Sequence, residues 1–466
     1  FGVHGLNSSF IYSYDRAVAN GQHNTLFRQN FAGYFHYDFD RRYIAELSLV
    51  ASGSNRLAKG GKYAFSPTLS AAWVLSNEDF FKASCIDFLK VRASAGIIHA
   101  DNIPYQNYWN QDFGGGGGYP IDDNFGGGGG LEEGRLPVLN PRKERAKKLN
   151  FGVDVSALKG IVFTADAFYE RRDNIFVSSD GATSAVIGGK RAYVNAGIVD
   201  SYGFETGLTV DKKVGQVDVH LGGKFTLAKN EIKEQLEEAR AHDYLRRTGH
   251  SVGQIFGLQA IGYFVDQHDI ANSPTQQFSE VKPGDVKYKD QNGDGVINSD
   301  DEVAIGYNTQ VPELYFSFDF GVEWKGFGLS ATLQGVGNYS TMLNTKSVYK
   351  PLVDNTTVSN HYLENRWTPE TPFAKYPRLT TESNENNYRN NTVWLANASY
   401  LKLRNCEVYY KFPVEMISKL NMSNAKLYVR GVDLLTFDKL DVGDPENTGV
   451  GYPLTKSVHV GFAIGF

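Results

Sequence analysis

From Leu149 to Ala157 the apolar residues Leu149, Phe151, Val153, Val155 and Ala157 alternate with Asn150, Gly152, Asp154 and Ser156. Successive side chains of an extended strand point to opposite faces, so a repeat of two gives the segment one oily face and one wet face. The same repeat runs through Leu314, Phe316, Phe318, Phe320, Val322 and Trp324 against Tyr315, Ser317, Asp319, Gly321 and Glu323. It recurs over Ile161–Tyr169, with Thr164 and Asp166 on the wet side. At the end of the chain Val458, Val460, Phe462, Ile464 and Phe466 alternate with His459, Gly461, Ala463 and Gly465. These segments are strands. Alternation alone leaves open what the oily face meets, because a soluble sandwich of two sheets alternates in the same way.

The links between strands narrow the choice. Candidate strands fall near 8–17, 28–39, 42–52, 62–74, 88–98, 146–157, 160–172, 202–211, 216–229, 312–323, 327–339, 397–411, 424–435 and 457–466, roughly fourteen in all. The links 38–42, 157–160, 211–215 and 324–326 are short, and 76–87 and 412–424 are of medium length. Between them come 98–146, 173–200, 230–311, 339–392 and 437–456. Most of these far exceed the roughly 4–6 residues usual in a compact soluble domain. One end of the sheet is tight and the other elaborate, as in outer-membrane barrels with short periplasmic turns and long extracellular loops. The expected fold is therefore all-β, a transmembrane antiparallel β-barrel. If the aromatic C-terminal strand ends at the periplasmic edge, strand parity puts the five long links outside the cell.

Charge and composition remove other classes. Lys+Arg total 47 against 52 Asp+Glu, a net charge of −5, which argues against a nucleic-acid partner. No window approaches the roughly 18 uninterrupted apolar residues of a membrane-spanning helix. Strands that alternate lipid-facing and lumen-facing residues average instead to a polar mean hydropathy, here −0.36. Cys85 and Cys406 are too few for a disulfide scaffold or a cysteine-ligated zinc site and read as two separate thiols. The chain opens on Phe1 without a signal-peptide pattern, which suggests a processed product or a piece of something longer.

Several colinear blocks resemble the SusC-like (SusC/RagA) family of TonB-dependent outer-membrane transporters. They include FSPTLSAAWVLSNEDFF (65–81), LKVRASAG (89–96), NFGVDVSAL (150–158), DAFYERRDNIF (166–176), NAGIVDSYGFETGL (195–208), PGDVKYKDQNGDGVINSDDEVAIG (283–306), WTPETPFAKYPRL (367–379) and NASYLKLRNCEVYYKFP (397–413). The resemblance implies a barrel of about 22 strands with an N-terminal plug inside it. It also implies location in the outer membrane of a Gram-negative bacterium, contact with outer-membrane lipid, and TonB-powered import of oligosaccharides or peptides beneath a SusD-like surface lipoprotein. Residues 1–466 would be the C-terminal part of such a barrel, with about fourteen of its strands. No plug or TonB-box segment is recognisable, so TonB would act through a plug outside these residues. An unclosed sheet leaves unpaired edges in lipid, so the missing N-terminal barrel and plug segment is expected from elsewhere.

Within the 230–311 loop region, residues 290–301 read as a calcium loop. Calcium takes six to eight oxygens, and side-chain oxygens at loop positions one, three, five and twelve with a carbonyl at seven can wrap it. Asp290, Asn292, Asp294, the Val296 carbonyl and Asp301 fill those positions, with Gly295 for the sharp turn and Ile297 as apolar anchor. Asp301 stands where the motif usually has the longer glutamate. A metal-free turn rich in Asx and glycine is the other reading of the same residues.

The 98–146 link holds two pentaglycine runs, Gly114–Gly118 and Gly126–Gly130, neither followed by the Lys-Ser/Thr of a phosphate loop. They read as a flexible loop. The neighbouring aromatics Tyr105, Tyr108, Trp109, Phe113 and Tyr119 are candidate ligand contacts, since amphipathic rings stack well on sugars and peptide side chains; interfacial girdle is the competing role. Lys233–Thr248 reads as a short charged helix. Ten histidines form no HExxH pair, and no serine elbow or catalytic cysteine motif is present, so nothing points to an enzyme. Two alternatives to the importer stay open: a passive porin-like β-barrel channel, and a secreted β-sandwich carbohydrate-binding protein or adhesin.

Overall fold

The computed structural model describes residues 2–18, 25–58, 60–101, 108–119, 128–179, 181, 186, 191–345, 349–352, 356–447, 452 and 454–466. Fourteen long strands form one sheet whose order follows the sequence. We number them β1 (His4–Val18), β2 (Thr25–Phe39), β3 (Tyr43–Ser54), β4 (Tyr63–Val74), β5 (Ile86–Ala100), β6 (Glu144–Ala157), β7 (Ile161–Ser178), β8 (Tyr193–Val214), β9 (Val217–Glu234), β10 (Leu314–Trp324), β11 (Phe327–Gly337), β12 (Tyr400–Lys411), β13 (Asn424–Asp438) and β14 (Ser457–Gly465). All fourteen coincide with the segments picked out by alternation, most of them a few residues longer. The largest extension is in β8, which begins at Tyr193 rather than near 202. Its first residues, Tyr193 to Ser201, include Asn195 and Gly197, which read as loop. Here Asn195 instead accepts from the Arg142 amide and donates to the Asn174 carbonyl, and a side chain at Gly197 would collide with Val177 of β7.

The chain divides into two compact units. The first holds Phe1–Thr206, Ala228–Ala239 and Arg247–His250; the second holds Gly207–Leu227, Arg240–Arg246 and Ser251–Phe466. In the first, antiparallel ladders run unbroken from β1 to β7. In the second they run from β9 through β14. The short links are tight turns. Lys325 and Gly326, between β10 and β11, both have positive φ (49° and 86°), the conformation whose twist matches a two-residue hairpin.

The oily faces of the strands are uncovered. Leu149 and Phe151 of β6 are each 56% exposed and Val460 of β14 is 74% exposed, while Phe318, Phe320 and Val429 are also open. At the short-link ends this face carries aromatic clusters. In the first unit Tyr43 stacks on Trp73 with centroids 6.2 Å apart, and Trp73 meets Phe80. In the second, Phe327, Tyr410, Phe412 and Phe462 form a chain of ring contacts. Aromatic girdles bordering an apolar band are what a barrel wall presents at the membrane interface.

The packed core lies in the connections. Within the second unit Tyr349, Tyr362, Tyr376 and Trp394 form a buried cluster, and Leu258, Val286, Tyr288 and Ile297 a second one. Tyr376 stacks on both Trp394 and Tyr362. Asp285, wholly buried, is paired with Arg378 at 2.7 Å and accepts from Asn384 and Asn387, so its charge is compensated where it is desolvated. The described residues of 251–313 and 339–399 thus fold into a body with its own interior. That interior, not the sheet, is where truncating a large side chain leaves a cavity. Trp394→Ala is expected to cost about 3–5 kcal/mol of local stability. Hydrogen exchange should then rise through 251–313 and 339–399 while protection in β10–β14 stays unchanged.

One reading of the sequence is corrected. Lys233–Thr248 is not a helix: β9 continues to Glu234, Leu236 takes a positive φ of 54°, and only Asp243–Leu245 makes a single helical turn. The cause is tertiary. The Glu237 carboxylate accepts from the amides of Arg247 and Thr248 and from the Thr248 hydroxyl, at 2.8–3.0 Å, closing the segment back on itself. A carboxylate that bonds distant backbone amides competes with the helix.

Candidate functional site

The wet faces of the strands carry interlocked charges. In the first unit Arg92 of β5 donates to both oxygens of Asp166 on β7 at 2.6 and 2.5 Å and to Asp154 of β6 at 3.2 Å. Lys90 also meets Asp154, at 3.0 Å. For Arg92 to reach β7 its guanidinium must cross β6, and it does so over Gly152, which pairs with Arg92 on one side and with Asp166 on the other. A Cβ at Gly152 would lie 2.5 Å from Arg92 Cζ. In the second unit Glu407 of β12 accepts two bonds from Arg430, at 2.8 and 2.6 Å, and one from Lys426. Glu323 of β10 accepts from Tyr409 at 2.7 Å and from Lys411 at 2.6 Å. Charged forks of this kind satisfy a polar wall strand to strand.

At the long-link end of the second unit Asp444 and Glu446, which follow β13, are pinned onto β12. Lys402, with 1% of its surface exposed, contacts Asp444 at 2.8 Å and Glu446 at 2.7 Å. Arg404 contacts Asp433 and Glu446, and the Tyr400 hydroxyl donates to Glu446. This cluster was not anticipated from the sequence. Its one visible signal is the pair Lys402 and Arg404 spaced by two on the wet side of an alternating strand.

The 290–301 loop sits in the second unit. Asp290 accepts from the Gly293 amide at 2.6 Å and the Gly295 amide at 2.9 Å, and these amides hold its carboxyl below the usual range. Asn292 accepts from the Asp294 amide and Asp294 from the Val296 amide. Asp301 is wholly buried and accepts from Gln291 at 2.8 Å and Asn298 at 2.9 Å. Gly293 and Gly295 have positive φ, 76° and 82°, and Ile297 is buried against Leu258, Val286 and Tyr288. The anchor and the turn are therefore as the motif requires. Among the described residues no three His, Cys, Asp or Glu side chains are gathered closely enough to hold an ion. The loop closes on its own amides, and each carboxylate oxygen so engaged keeps a second lone pair.

The aromatic candidates separate. Tyr105 lies outside the described residues, as does the side chain of Tyr119. Tyr108 is fully buried with Val138, its ring 5.2 Å from Phe176 and 5.4 Å from Trp109. Trp109 packs on this cluster, half-buried, while Phe113 is exposed. The described parts of the glycine runs, read as a flexible loop, form a two-stranded ladder in which Gly114, Gly115 and Gly116 face Glu132, Leu131 and Gly130. Lacking a side chain, Gly116 leaves room for Glu132 to lie across it.

A sheet with an uncovered oily face, a self-paired charged face, aromatic girdles at the tight end and folded loops at the other is the wall of an outer-membrane-type β-barrel. The chain belongs to the TonB dependent receptor-like, β-barrel family, whose model matches residues 19–294. It is 26% identical over 443 residues to TonB-dependent receptor P26 of Formosa agariphila, covering 91% of this chain and 43% of that protein. It is 23% identical to TonB-dependent receptor SusC of Bacteroides thetaiotaomicron, covering 85% of this chain and 38% of that one. Among solved structures, the RagAB peptide transporter superimposes with a TM-score of 0.77 at 17% identity, over 100% of this chain and 54% of its counterpart. The chain thus spans less than half the length of these two sequence relatives.

Two outcomes follow from the geometry. Gly152→Ala should displace Arg92 from Asp166 and destabilise the sheet by about 1–3 kcal/mol. Its unfolding temperature in detergent should fall, whereas Gly60→Ala, with open space around the added methyl, should leave it unchanged. For Glu237, burial raises the carboxyl pKa, but the Arg247 and Thr248 amides and the Thr248 hydroxyl hold it down to about 2. A depressed folded pKa means the tether is intact above about 4.5, the ordinary glutamate value, and is lost as pH falls towards about 2. Exchange protection of the Arg247 and Thr248 amides, corrected for intrinsic rate, should fall over that interval, and Glu237→Ala should abolish it already at pH 7.

Proposed function

We propose that this chain forms wall and extracellular loops of a SusC-like importer in the outer membrane of a Gram-negative bacterium, taking up oligosaccharides or peptides with energy from TonB. The observation that carries the reading is the uncovered apolar face of the long strands, bounded by aromatic girdles, in a chain of this family. Hydrocarbon is the solvent in which such a face is stable. The wall excludes free diffusion, loops at the elaborate end capture substrate, and rearrangement of a plug opens the path. A SusD-like lipoprotein is the proposed lid over those loops. The description of the structurally similar RagAB protein as a peptide transporter supports the peptide class for such a wall, and the SusC relative supports the importer architecture. Trp109 and Phe113 are the proposed ligand contacts of the 98–146 link, Phe113 being open to solvent. No enzymatic step belongs to this account.

Deleting TonB in the native organism should abolish uptake of the oligosaccharide or peptide that the intact receptor gene confers, and deleting a neighbouring surface lipoprotein gene should reduce it. Uptake that persists without TonB would instead make the protein a passive porin-like channel. Extraction of the full-length protein as a soluble monomer without detergent would defeat both.

We also propose that Asp290, Asn292, Asp294, the Val296 carbonyl and Asp301 hold calcium, which would stiffen the loop rather than take part in transport. The donor set, all oxygen, and the buried Ile297 anchor support this. Calorimetric titration should show calcium binding to the unsubstituted receptor, with the heat lost in both Asp290→Ala and Asp294→Ala. Binding unchanged in both variants rejects the ligand assignment, and no binding to the unsubstituted receptor leaves the metal-free turn.

A further inference from the structure

Three times in this sheet a long side chain lies across a glycine and bonds to a residue on the strand beyond. Tyr63 of β4 crosses Gly53 of β3 and accepts from Gln29 of β2 at 2.5 Å. Arg92 crosses Gly152 to Asp166. Tyr409 of β12 crosses Gly328 of β11 and donates to Glu323 of β10 at 2.7 Å. In each case the three residues share one row of the pairing register, and a side chain at the glycine would overlap the one crossing it.

The same arrangement occurs a fourth time at the edge of the sheet. Tyr428 of β13 pairs with Gly461 of β14, and a Cβ at Gly461 would overlap the Tyr428 ring and hydroxyl. Tyr428 lies on the wet face between Lys426 and Arg430, whose cationic groups are 5.4 and 5.2 Å from its ring centroid. Both cations share the single carboxylate of Glu407, so this patch carries an excess of positive charge. Among the described residues β14 has one ladder, to β13, and stands at the end of the strand order. Asn424 lies across Gly465 of β14 in the same way, four residues further on.

The barrel reading closes the outer edge of β14 with a neighbouring antiparallel strand, and we infer that this strand carries a carboxylate opposite Gly461 to which Tyr428 donates its phenol across the glycine. The positive excess at Lys426 and Arg430 selects a carboxylate over a neutral acceptor. An aligned strand also satisfies the amides of an edge that has no water to bond within a bilayer. The inference rests on the barrel reading, and the Tyr409 row inside the described sheet provides its internal standard.

The test is thermal unfolding of the full-length receptor in detergent, comparing Tyr409→Phe, Tyr428→Phe and Gly461→Ala. Each phenylalanine variant keeps the ring and removes one hydroxyl. Tyr428→Phe is expected to lower the melting temperature by about as much as Tyr409→Phe, and Gly461→Ala to lower it by at least as much. A phenol that meets only water loses nothing on becoming phenylalanine. If Tyr409→Phe falls and Tyr428→Phe does not, or if neither falls, the inference is overturned. A Tyr428→Phe effect that vanishes on dilution assigns the strand to a second copy of the chain and overturns it equally. Because these readouts are melting temperatures, they are independent of whether the receptor's cargo and TonB coupling are as proposed.

Discussion

A polypeptide backbone in hydrocarbon has no water with which to satisfy its amides and carbonyls, so every one must bond within the protein. The ladders of this sheet pair each strand with its neighbours over β1–β7 in one unit and β9–β14 in the other, leaving the outer edges of β1 and β14. Once the backbone is satisfied laterally, the two faces are free to diverge. One is left apolar and bare; the other carries arginines, lysines and carboxylates that neutralise each other across strands. Arg92 and Glu407 show how: each engages more than one partner on neighbouring strands.

The hydrophobic effect therefore works in two places with two solvents. In the proposed membrane setting it turns Leu149, Phe151 and Val460 of the strands, all exposed, towards lipid, where they need no protein layer above them. In segments 251–313 and 339–399 it drives conventional burial, with Trp394, Tyr376 and Tyr288 almost wholly removed from solvent. Long loops that fold on their own core can hold a fixed shape over the mouth of a barrel. The 290–301 loop belongs to that body through Ile297, and Asp444 and Glu446 are tied to β12 by Lys402 and Arg404.

The strands were legible because alternation and tight turns are local. Leu149 to Ala157 announces its face without reference to any neighbour, and Lys325-Gly326 needs only its own two φ values. What was not legible depends on residues far apart in the chain. Glu237 draws Arg247 and Thr248 back and dissolves a plausible helix; Asn195 and Gly197 look like loop until Arg142, Asn174 and Val177 are beside them. The glycine crossings were equally hidden, because Gly152 is only a wet-face position of its strand until the side chain passing over it is known. Of the ligand candidates, Tyr108 is buried with Val138 and packs its own link, a placement that composition does not reveal.

The bare oily face is the claim on which the rest stands, and collision of paramagnetic reagents with single spin labels measures it directly. In the full-length receptor reconstituted in lipid, a label at Phe151 should collide readily with oxygen and poorly with a water-soluble nickel chelate. A label at the adjacent Asn150 should show the reverse order. Labels at both positions equally shielded from both reagents, as beneath a second layer of protein, would contradict the account.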